Sequence, residues 1–146
     1  MAWNVAGNAG KQYVSTARIT NPQTRAEWVE FHGVNRSAMG NQVYYRAMSA
    51  AELKAIQNTG YLRGGNPGDT YFTNNRYTSA SAAQRSLSLE HRPEHMVEFR
   101  IINNPNIVGG PTGTTVTPKY GQPGGGIEFY STNAVQVEIT NMWVLR

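Results

Sequence analysis

The sequence contains no cysteine and a single aspartate, Asp69, beside eight glutamates. The absence of cysteine excludes disulfides, thiolate catalysis and the cysteine-based zinc sites. With one Asp, set in a Gly/Pro loop, a paired-aspartate metal site or a Ser-His-Asp triad is nearly ruled out. Three histidines leave little for metal ligation, namely His32, His91 and His95. We therefore expect no metal cofactor.

Long hydrophobic runs are also missing. No apolar stretch approaches the ~20 residues that a membrane span requires. Residues 1–10 are polar and small, unlike the charged and then apolar regions of a signal peptide, so none is expected. The 146 residues are 39% hydrophobic, which predicts one soluble domain with a sizeable core and no membrane partner.

The charge is basic but scattered. Thirteen Lys and Arg against nine acidic residues give a net charge of +4, and ten of the thirteen are Arg. Arginine suits bidentate contacts with phosphate and carboxylate groups. Because the charges form no basic run, a nucleic-acid partner is possible but not favoured. A basic nucleic-acid-binding or nuclease domain remains the non-enzyme alternative.

Local patterns predict a mixed chain. Residues 1–22 are expected to be an N-terminal arm or a junction with an upstream protein, ahead of a domain over residues 23–146. Capping boxes at Thr24 and Ser49 predict two helix starts, and the second of these helices is expected to stop at Gly60. Ser79 could cap a third helix over residues 80–89. Strands are predicted at residues 43–48, 70–73, 95–102, 127–130, 135–139 and 142–145. These elements indicate an α+β domain with a largely antiparallel sheet.

Two further features concern the later strands. Residues 103–126 carry four of the seven prolines and many glycines, which predicts a long irregular segment. Such segments are uncommon in compact domains and are often functional. Glu98 and Glu138, on alternating strands, are expected to face solvent.

Three strand segments combine groups that can carry chemistry. Arg46 lies in an aromatic strand, where a guanidinium needs an anionic partner if buried, or else faces outward on an edge strand. The next segment, residues 70–73, combines aromatic rings with the hydroxyl of Thr73. The third has three glycines before Glu128, and these allow close backbone approach or free bending. Glu128 itself lies between Ile and Phe, in apolar surroundings unless it points to solvent.

In this order the segments resemble a known family. An early-strand Arg46, an aromatic strand ending at Thr73, and Glu128 after a mobile loop are similar to the arginine-serine-glutamate branch of the ADP-ribosyltransferase superfamily. Residues 43–60 and 70–73, with Tyr-Gly-Gln-Pro-Gly-Gly-Gly-Ile-Glu-Phe at 120–129, closely resemble the C-terminal toxin domains of bacterial Rhs polymorphic proteins. Among these, the branch that modifies elongation factor Tu is the most similar. The resemblance covers residues 43–146.

The resemblance implies a fold and a function. The fold would consist of mixed, mostly antiparallel sheets around an NAD cleft, with a few short helices. The activity would be NAD-dependent mono-ADP-ribosyl transfer to elongation factor Tu, which blocks translation. The domain would be secreted as the C-terminal part of a larger protein, through type VI secretion, and would act in the target-cell cytoplasm. A cognate immunity protein would cover the cleft. Alternative acceptors are ribosomal RNA, a cell-division protein, or water in an NAD glycohydrolase.

The resemblance also implies residue roles. Glu128 would stabilise the positive charge that builds on the ribose, and Arg46 would hold a phosphate or ribose oxygen. Thr73 would brace Glu128 or the ribose. An aromatic ring would stack on the cationic nicotinamide; the candidates are Tyr71, Phe72 and Tyr77. Tyr45 and Ser79 complete the expected NAD contacts.

The sequence departs from the family pattern at two places. The usual Ser-Thr-Ser stretch is replaced by Thr-Asn-Asn at residues 73–75, so Ser79 and Ser81 are alternative hydroxyl donors. Gly126 stands where enzymes that modify arginine usually carry a second Glu or Gln. By resemblance, an arginine acceptor is therefore disfavoured, and an acidic side chain or a nucleic acid remains open.

Overall fold

The computed structural model describes residues 42–146. The expected arm over residues 1–22 and the helix expected after Thr24 lie outside the described residues. Within the described range the chain is an α+β fold of two antiparallel sheets and short helices, which confirms the predicted class. None of the helices in this range is long and apolar enough to cross a membrane.

Each of the two sheets takes strands from both the early and the late part of the described residues. The elements are β1 (Tyr44–Met48), α1 (Ala50–Thr59), a 3-10 helix (Leu62–Gly65), β2 (Thr70–Phe72), α2 (Ala80–Ser86), β3 (His95–Ile101), β4 (Ile107–Val108), β5 (Thr114–Thr115), β6 (Ile127–Ser131) and β7 (Val137–Val144). The first sheet has the order β1-β3-β7 and the second has the order β2-β6-β4. Strand β5 also pairs with β6.

The helix boundaries follow the capping signals in the sequence. Ser49 Oγ accepts a hydrogen bond from Glu52 N at 3.2 Å, and α1 ends at Gly60 in the left-handed conformation, with φ +77. Ser79 Oγ caps α2 by accepting from Ala82 N at 3.2 Å. Helix α2 ends at Ser86, before the predicted end at residue 89. Short-range hydrogen bonds therefore encode both helix starts.

Two predicted strands at the C-terminal end are one strand, β7. Its register with β3 shifts between Glu98 and Phe99, so that Glu98 faces Asn141 and Phe99 faces Ile139. The extra residue, Thr140, donates its hydroxyl to Glu98 Oε2 at 2.7 Å. This bulge interrupts the alternation of side chains, which is why the pattern indicated two strands.

An aromatic cluster joins the two sheets. Phe72 of β2 stacks on Phe129 of β6, with ring centroids 5.8 Å apart and planes at 12°. Tyr44 of β1 meets these rings edge-on at 5.0 and 5.3 Å, and Phe99 of β3 lies 6.0 Å from Phe72. Such aromatic pairs contribute beyond the area that they bury. The cluster holds the sheets together on the buried side of β2 and β6.

Helices cover both faces of the first sheet. Leu53 and Ile56 of α1 pack on the same face as Val97 and Phe99. On the opposite face, α2 packs Ala80 and Ala83 against Met96 and Leu145. The alternation of strand β3 therefore serves two cores, one on each side.

The expectation that Glu138 faces solvent is wrong. Glu138 is 5% exposed and lies opposite Arg100 of β3, with Arg100 Nη1 3.9 Å from Glu138 Oε1. Glu98 is half-buried. Alternation along a strand identifies two faces but does not show whether other parts of the chain cover both of them.

Backbone hydrogen bonds hold the glycine run before β6 in place. Gly126 N donates to Ser86 O at 3.0 Å, and Gly124 N donates to Arg85 O at 2.9 Å. Gly126 O in turn accepts from Val116 N at 2.8 Å. A Cβ on Gly126 would lie 2.9 Å from Ser86 O, and one on Gly124 would clash with Val116 O. Of the two roles considered for these glycines, the structure uses close backbone approach.

Gly124 and Gly121 allow a matched test, because both have φ +74. An alanine at Gly121 has open space, so Gly121→Ala should lower the free energy of unfolding by about 1 kcal/mol through the left-handed backbone alone. Gly124→Ala adds the clash with Val116 O and should lower it by about 2–4 kcal/mol. Urea unfolding of both variants measures the difference. Equal losses would show that the close approach contributes nothing.

Candidate functional site

Strand β2 changes partner at its end, and the candidate site lies beside this change. Phe72 is the last residue of β2 that pairs with β6, opposite Phe129. The next residue, Thr73, bridges to Tyr45 of β1 instead. Tyr45 N donates to Thr73 O at 2.7 Å, and Thr73 N donates to Tyr45 O at 2.8 Å. One residue therefore moves the chain from the second sheet to the first.

A pocket of about 370 Å³ opens at this point. It is lined by β1, the end of β2, the segment after α2, the loop before β6, and Glu128 of β6. Six of the eight residues predicted to contact NAD line it: Tyr45, Arg46, Tyr71, Phe72, Thr73 and Glu128. The fold thus brings Arg46, Thr73 and Glu128 to one cavity, although they lie far apart in the sequence.

Arg46 has an anionic partner within the chain. Its Nε donates to Glu52 Oε2 at 2.5 Å, its Nη2 donates to Glu52 Oε1 at 3.3 Å, and its Nη1 donates to the carbonyl oxygen of Tyr71. The two side chains are 18% and 19% exposed. A guanidinium carries five N–H groups, and the residues from 42 onward engage three of them. The bidentate pair holds the plane of Arg46 in a defined orientation.

Sequence reasoning missed Glu52. We expected its carboxylate to complete a capping box with Ser49. Within residues 42–146, Ser49 Oγ accepts from Glu52 N, which is only the Ser49 half of that interaction. The Glu52 carboxylate binds Arg46 instead. The sequence feature that could have indicated this ion pair is the position of Glu52. It lies in the first turn of the helix that directly follows the strand of Arg46.

Glu128 is half-buried, and burial raises its pKa above the ordinary value. Within residues 42–146 its carboxylate accepts no hydrogen bond and forms no ion pair. Burial also raises the pKa of Tyr71, and the charges of Asp69 and Glu128 raise it further while Lys119 opposes them. Glu128 is therefore a poorly compensated anion inside the pocket, and such a group attracts a cation or a developing positive charge.

Thr73 lines the pocket, but its hydroxyl is already engaged. The residue is 1% exposed, and Oγ1 accepts a hydrogen bond from Asn75 N at 2.9 Å. This bond closes a local turn just after β2. The hydroxyl proton remains available as a donor.

The aromatic candidates divide between the pocket and the core. Tyr71 is 44% exposed and its ring lies 5.3 Å from that of Tyr130. Phe72 is 3% exposed and stacks within the core, so it offers no free ring face for the expected stacking on nicotinamide. Tyr45 forms part of the wall, and its ring packs against Trp143 at 6.2 Å. Tyr71 alone of these three presents an exposed ring at the pocket.

Tyr77, Ser79 and Ser81 are not among the lining residues. Ser79 Oγ caps α2 and lies 3.2 Å from Ser81 Oγ. The carbonyl oxygen of Tyr77 accepts from Trp143 Nε1 at 2.8 Å, and its hydroxyl donates to Asn75 Oδ1 at 3.4 Å. The start of α2 and the second core therefore engage Ser79 and Tyr77, outside the pocket lining.

Several lining residues were not among the predicted site residues. Lys119 and Tyr120 stand in the loop before β6, with Lys119 Nζ 5.1 Å from the centroid of the Tyr120 ring. Tyr120 is 53% exposed. Leu87 and Ser88 line the pocket after α2, and Ser88 Oγ donates to Thr117 O at 2.8 Å. Only the folded loop shows that these residues border the cavity.

The part of the chain from residue 42 onward has no group of three or more His, Asp or Glu side chains that could hold a metal ion. Comparison of the chain with protein-family models, curated proteins and solved structures found no match. The resemblance to ADP-ribosyltransferases that the sequence motifs indicate therefore stays a prediction.

The raised pKa of Glu128 predicts a pH-dependent stability difference. At a pH below the carboxyl pKa of the unfolded chain, the group is protonated in both states and burial carries no charge penalty. As the pH rises through that value towards the higher folded pKa, the folded state loses stability. Glu128→Gln cannot ionise. Its free energy of unfolding, minus that of the wild type, should therefore increase from about pH 4 to about pH 7.

Urea unfolding at both pH values measures this difference. Glu90→Gln is the matched control, because the Glu90 side chain is 60% exposed and lies outside the pocket. A difference for Glu128→Gln that decreases towards neutral pH would mean that the folded protein stabilises the carboxylate.

Proposed function

We propose that the chain is an NAD-dependent mono-ADP-ribosyltransferase, and that it acts as an antibacterial toxin domain of the Rhs type on elongation factor Tu. The observation that carries the proposal is the shared pocket of Arg46, Thr73 and Glu128. Its volume of about 370 Å³ lies in the range of roughly 300–1,000 Å³ that is usual for small-molecule sites.

The charge of Glu128 suits this reaction. When the bond between the ribose C1′ and the nicotinamide nitrogen breaks, positive charge builds on the ribose, as in glycoside cleavage. An ionised and poorly compensated Glu128 stabilises that charge. Nicotinamide keeps the bonding electron pair and leaves as a neutral ring, so the leaving group needs no general acid. The acceptor then bonds to C1′ and gives up its own proton.

Arg46 and Tyr71 suit the rest of the substrate. Two N–H groups of Arg46 have no partner among residues 42–146 and can bind a phosphate or ribose oxygen, while Glu52 orients the guanidinium. The exposed ring of Tyr71 can stack on the cationic nicotinamide. The pocket thus offers groups for the anionic, sugar and cationic parts of NAD.

The target and the partner follow from the resemblance alone. Elongation factor Tu is the proposed acceptor, and a cognate immunity protein is proposed to cover the mouth of the pocket. Secretion as the C-terminal part of a larger protein, with action in the cytoplasm of the target cell, belongs to the same proposal. Gly126 in place of a second Glu or Gln disfavours an arginine acceptor.

The main test uses NAD labelled on its adenylate part and a bacterial lysate. The wild-type chain should label one protein band, which mass spectrometry should identify as elongation factor Tu. Glu128→Gln should reduce labelling by at least about 100-fold, because the stabilising charge is lost. Glu90→Gln, outside the pocket, should label as the wild type does.

The distribution of label separates the alternatives. Label found only in free ADP-ribose would indicate an NAD glycohydrolase, and label on RNA would indicate a nucleic-acid acceptor. A wild-type chain that consumes no NAD would contradict the proposal.

The pH profile of the transfer provides a further prediction. Because burial raises the pKa of Glu128, the ionised form that stabilises the ribose cation appears at higher pH than for an exposed glutamate. The value of kcat/KM should rise with pH, with its midpoint above the ordinary glutamate pKa. Initial rates across a pH series measure it. A profile that is already flat at the ordinary pKa would contradict an ionised Glu128 as the essential group.

A further inference from the structure

The first two residues of β6 lie beyond the end of its pairing with β2. The pairing of Phe72 with Phe129, if continued, would place Asn74 opposite Ile127. This does not happen, because Thr73 is already bridged to β1. The ladder between β2 and β6 therefore ends before the first two residues of β6, and the second of those is Glu128.

The side chain of Asn75 takes the missing place. Its Oδ1 accepts a hydrogen bond from Ile127 N at 3.0 Å and a longer one from the Tyr77 hydroxyl at 3.4 Å. The backbone N of Asn75 donates to Thr73 Oγ1 at 2.9 Å. Asn75 thus connects Thr73, which is tied to β1, with the residue that directly precedes Glu128.

The rest of the backbone around this contact is held from other directions. Gly126 N donates to Ser86 O at 3.0 Å, and Gly126 O accepts from Val116 N at 2.8 Å. Without Asn75 Oδ1, the N–H of the half-buried Ile127 would lose its acceptor. The two-residue strand β5 pairs with Ile127 and Glu128 on the other side of β6 and offers no acceptor in place of Asn75. A polar group left unpaired in this way is costly, so the start of β6 would shift towards another acceptor. Glu128 would shift with it.

We propose that Asn75 is a positioning residue for Glu128, acting through the backbone of Ile127; this inference rests on the proposed transferase function. Asn75 does not line the pocket, so it acts on the orientation of the carboxylate rather than by contact with NAD. Arg46 is held separately by Glu52. Loss of the Asn75 acceptor should therefore lower kcat and leave the KM for NAD nearly unchanged.

The test compares three variants with the wild type in the labelled-NAD assay. Asn75→Leu removes the acceptor at similar volume, Asn75→Asp keeps an acceptor oxygen, and Asn74→Leu changes the exposed neighbour. We expect Asn75→Leu to lower kcat by about 10- to 100-fold, as a small misplacement of a reacting group does. Its KM should stay within about twofold. Asn75→Asp should recover most of kcat, and Asn74→Leu should match the wild type.

Amide hydrogen exchange provides a second measurement that does not need activity. The Ile127 amide should exchange faster in Asn75→Leu than in the wild type. In Asn75→Asp it should exchange at about the wild-type rate. Thermal unfolding shows whether each variant is folded. If Asn75→Leu is unfolded, Asn75→Ala removes the same acceptor without adding bulk and replaces it in both measurements.

The outcomes separate this inference from the proposed function. An active wild type with unchanged kcat in the folded Leu or Ala variant would overturn the role of Asn75 and leave the transferase intact. Equal losses in Asn75→Leu and Asn75→Asp would show that the acceptor oxygen is not the cause. A raised KM with unchanged kcat would indicate a binding role and overturn positioning. A wild type that transfers no ADP-ribose would overturn the function and this inference together.

Discussion

The change of partner between Phe72 and Thr73 is the constraint on which the candidate site depends. Phe72 pairs with β6, and Thr73 pairs with β1. Because the backbone of Thr73 bonds to β1, it cannot also pair with β6. The two sheets therefore separate next to Arg46 and Glu128, and the pocket opens there. On the buried side, the stack of Phe72 on Phe129 holds the same strands together. The cavity thus forms because the chain leaves the second sheet at the end of β2 and bonds to the first sheet one residue later.

Arg46 and Glu128, which both line the pocket, are treated differently by the fold. Arg46 has its charge matched by Glu52, so its partial burial is compensated and its orientation is defined. Glu128 is half-buried without such a partner among the residues from 42 onward, and burial raises its pKa. A carboxylate held in this way reduces the stability of the folded protein at neutral pH.

Local signals were sufficient where local bonds decide the structure. The Ser49 and Ser79 caps, the Gly60 stop and the β-branched or aromatic strands were all placed close to their observed positions. The predictions were wrong where distant parts of the chain decide. Glu52 was considered as half of a cap, but β1 brings Arg46 beside it. Glu138 was expected to face solvent, but it is buried opposite Arg100 of β3. Spacing along the chain could not reveal either partner.

The α+β class and the helix starts could be predicted from the sequence, because alternation and capping depend on residues a few positions apart. The same local patterns pointed to the three segments that carry Arg46, Thr73 and Glu128. The folded chain alone shows that these segments share one pocket and that the ring of Phe72 turns into the core. It also shows that Asn75 bonds to the start of β6. Those outcomes depend on which strand pairs with which. Strand pairing joins residues that are far apart in the chain, and no local pattern records it.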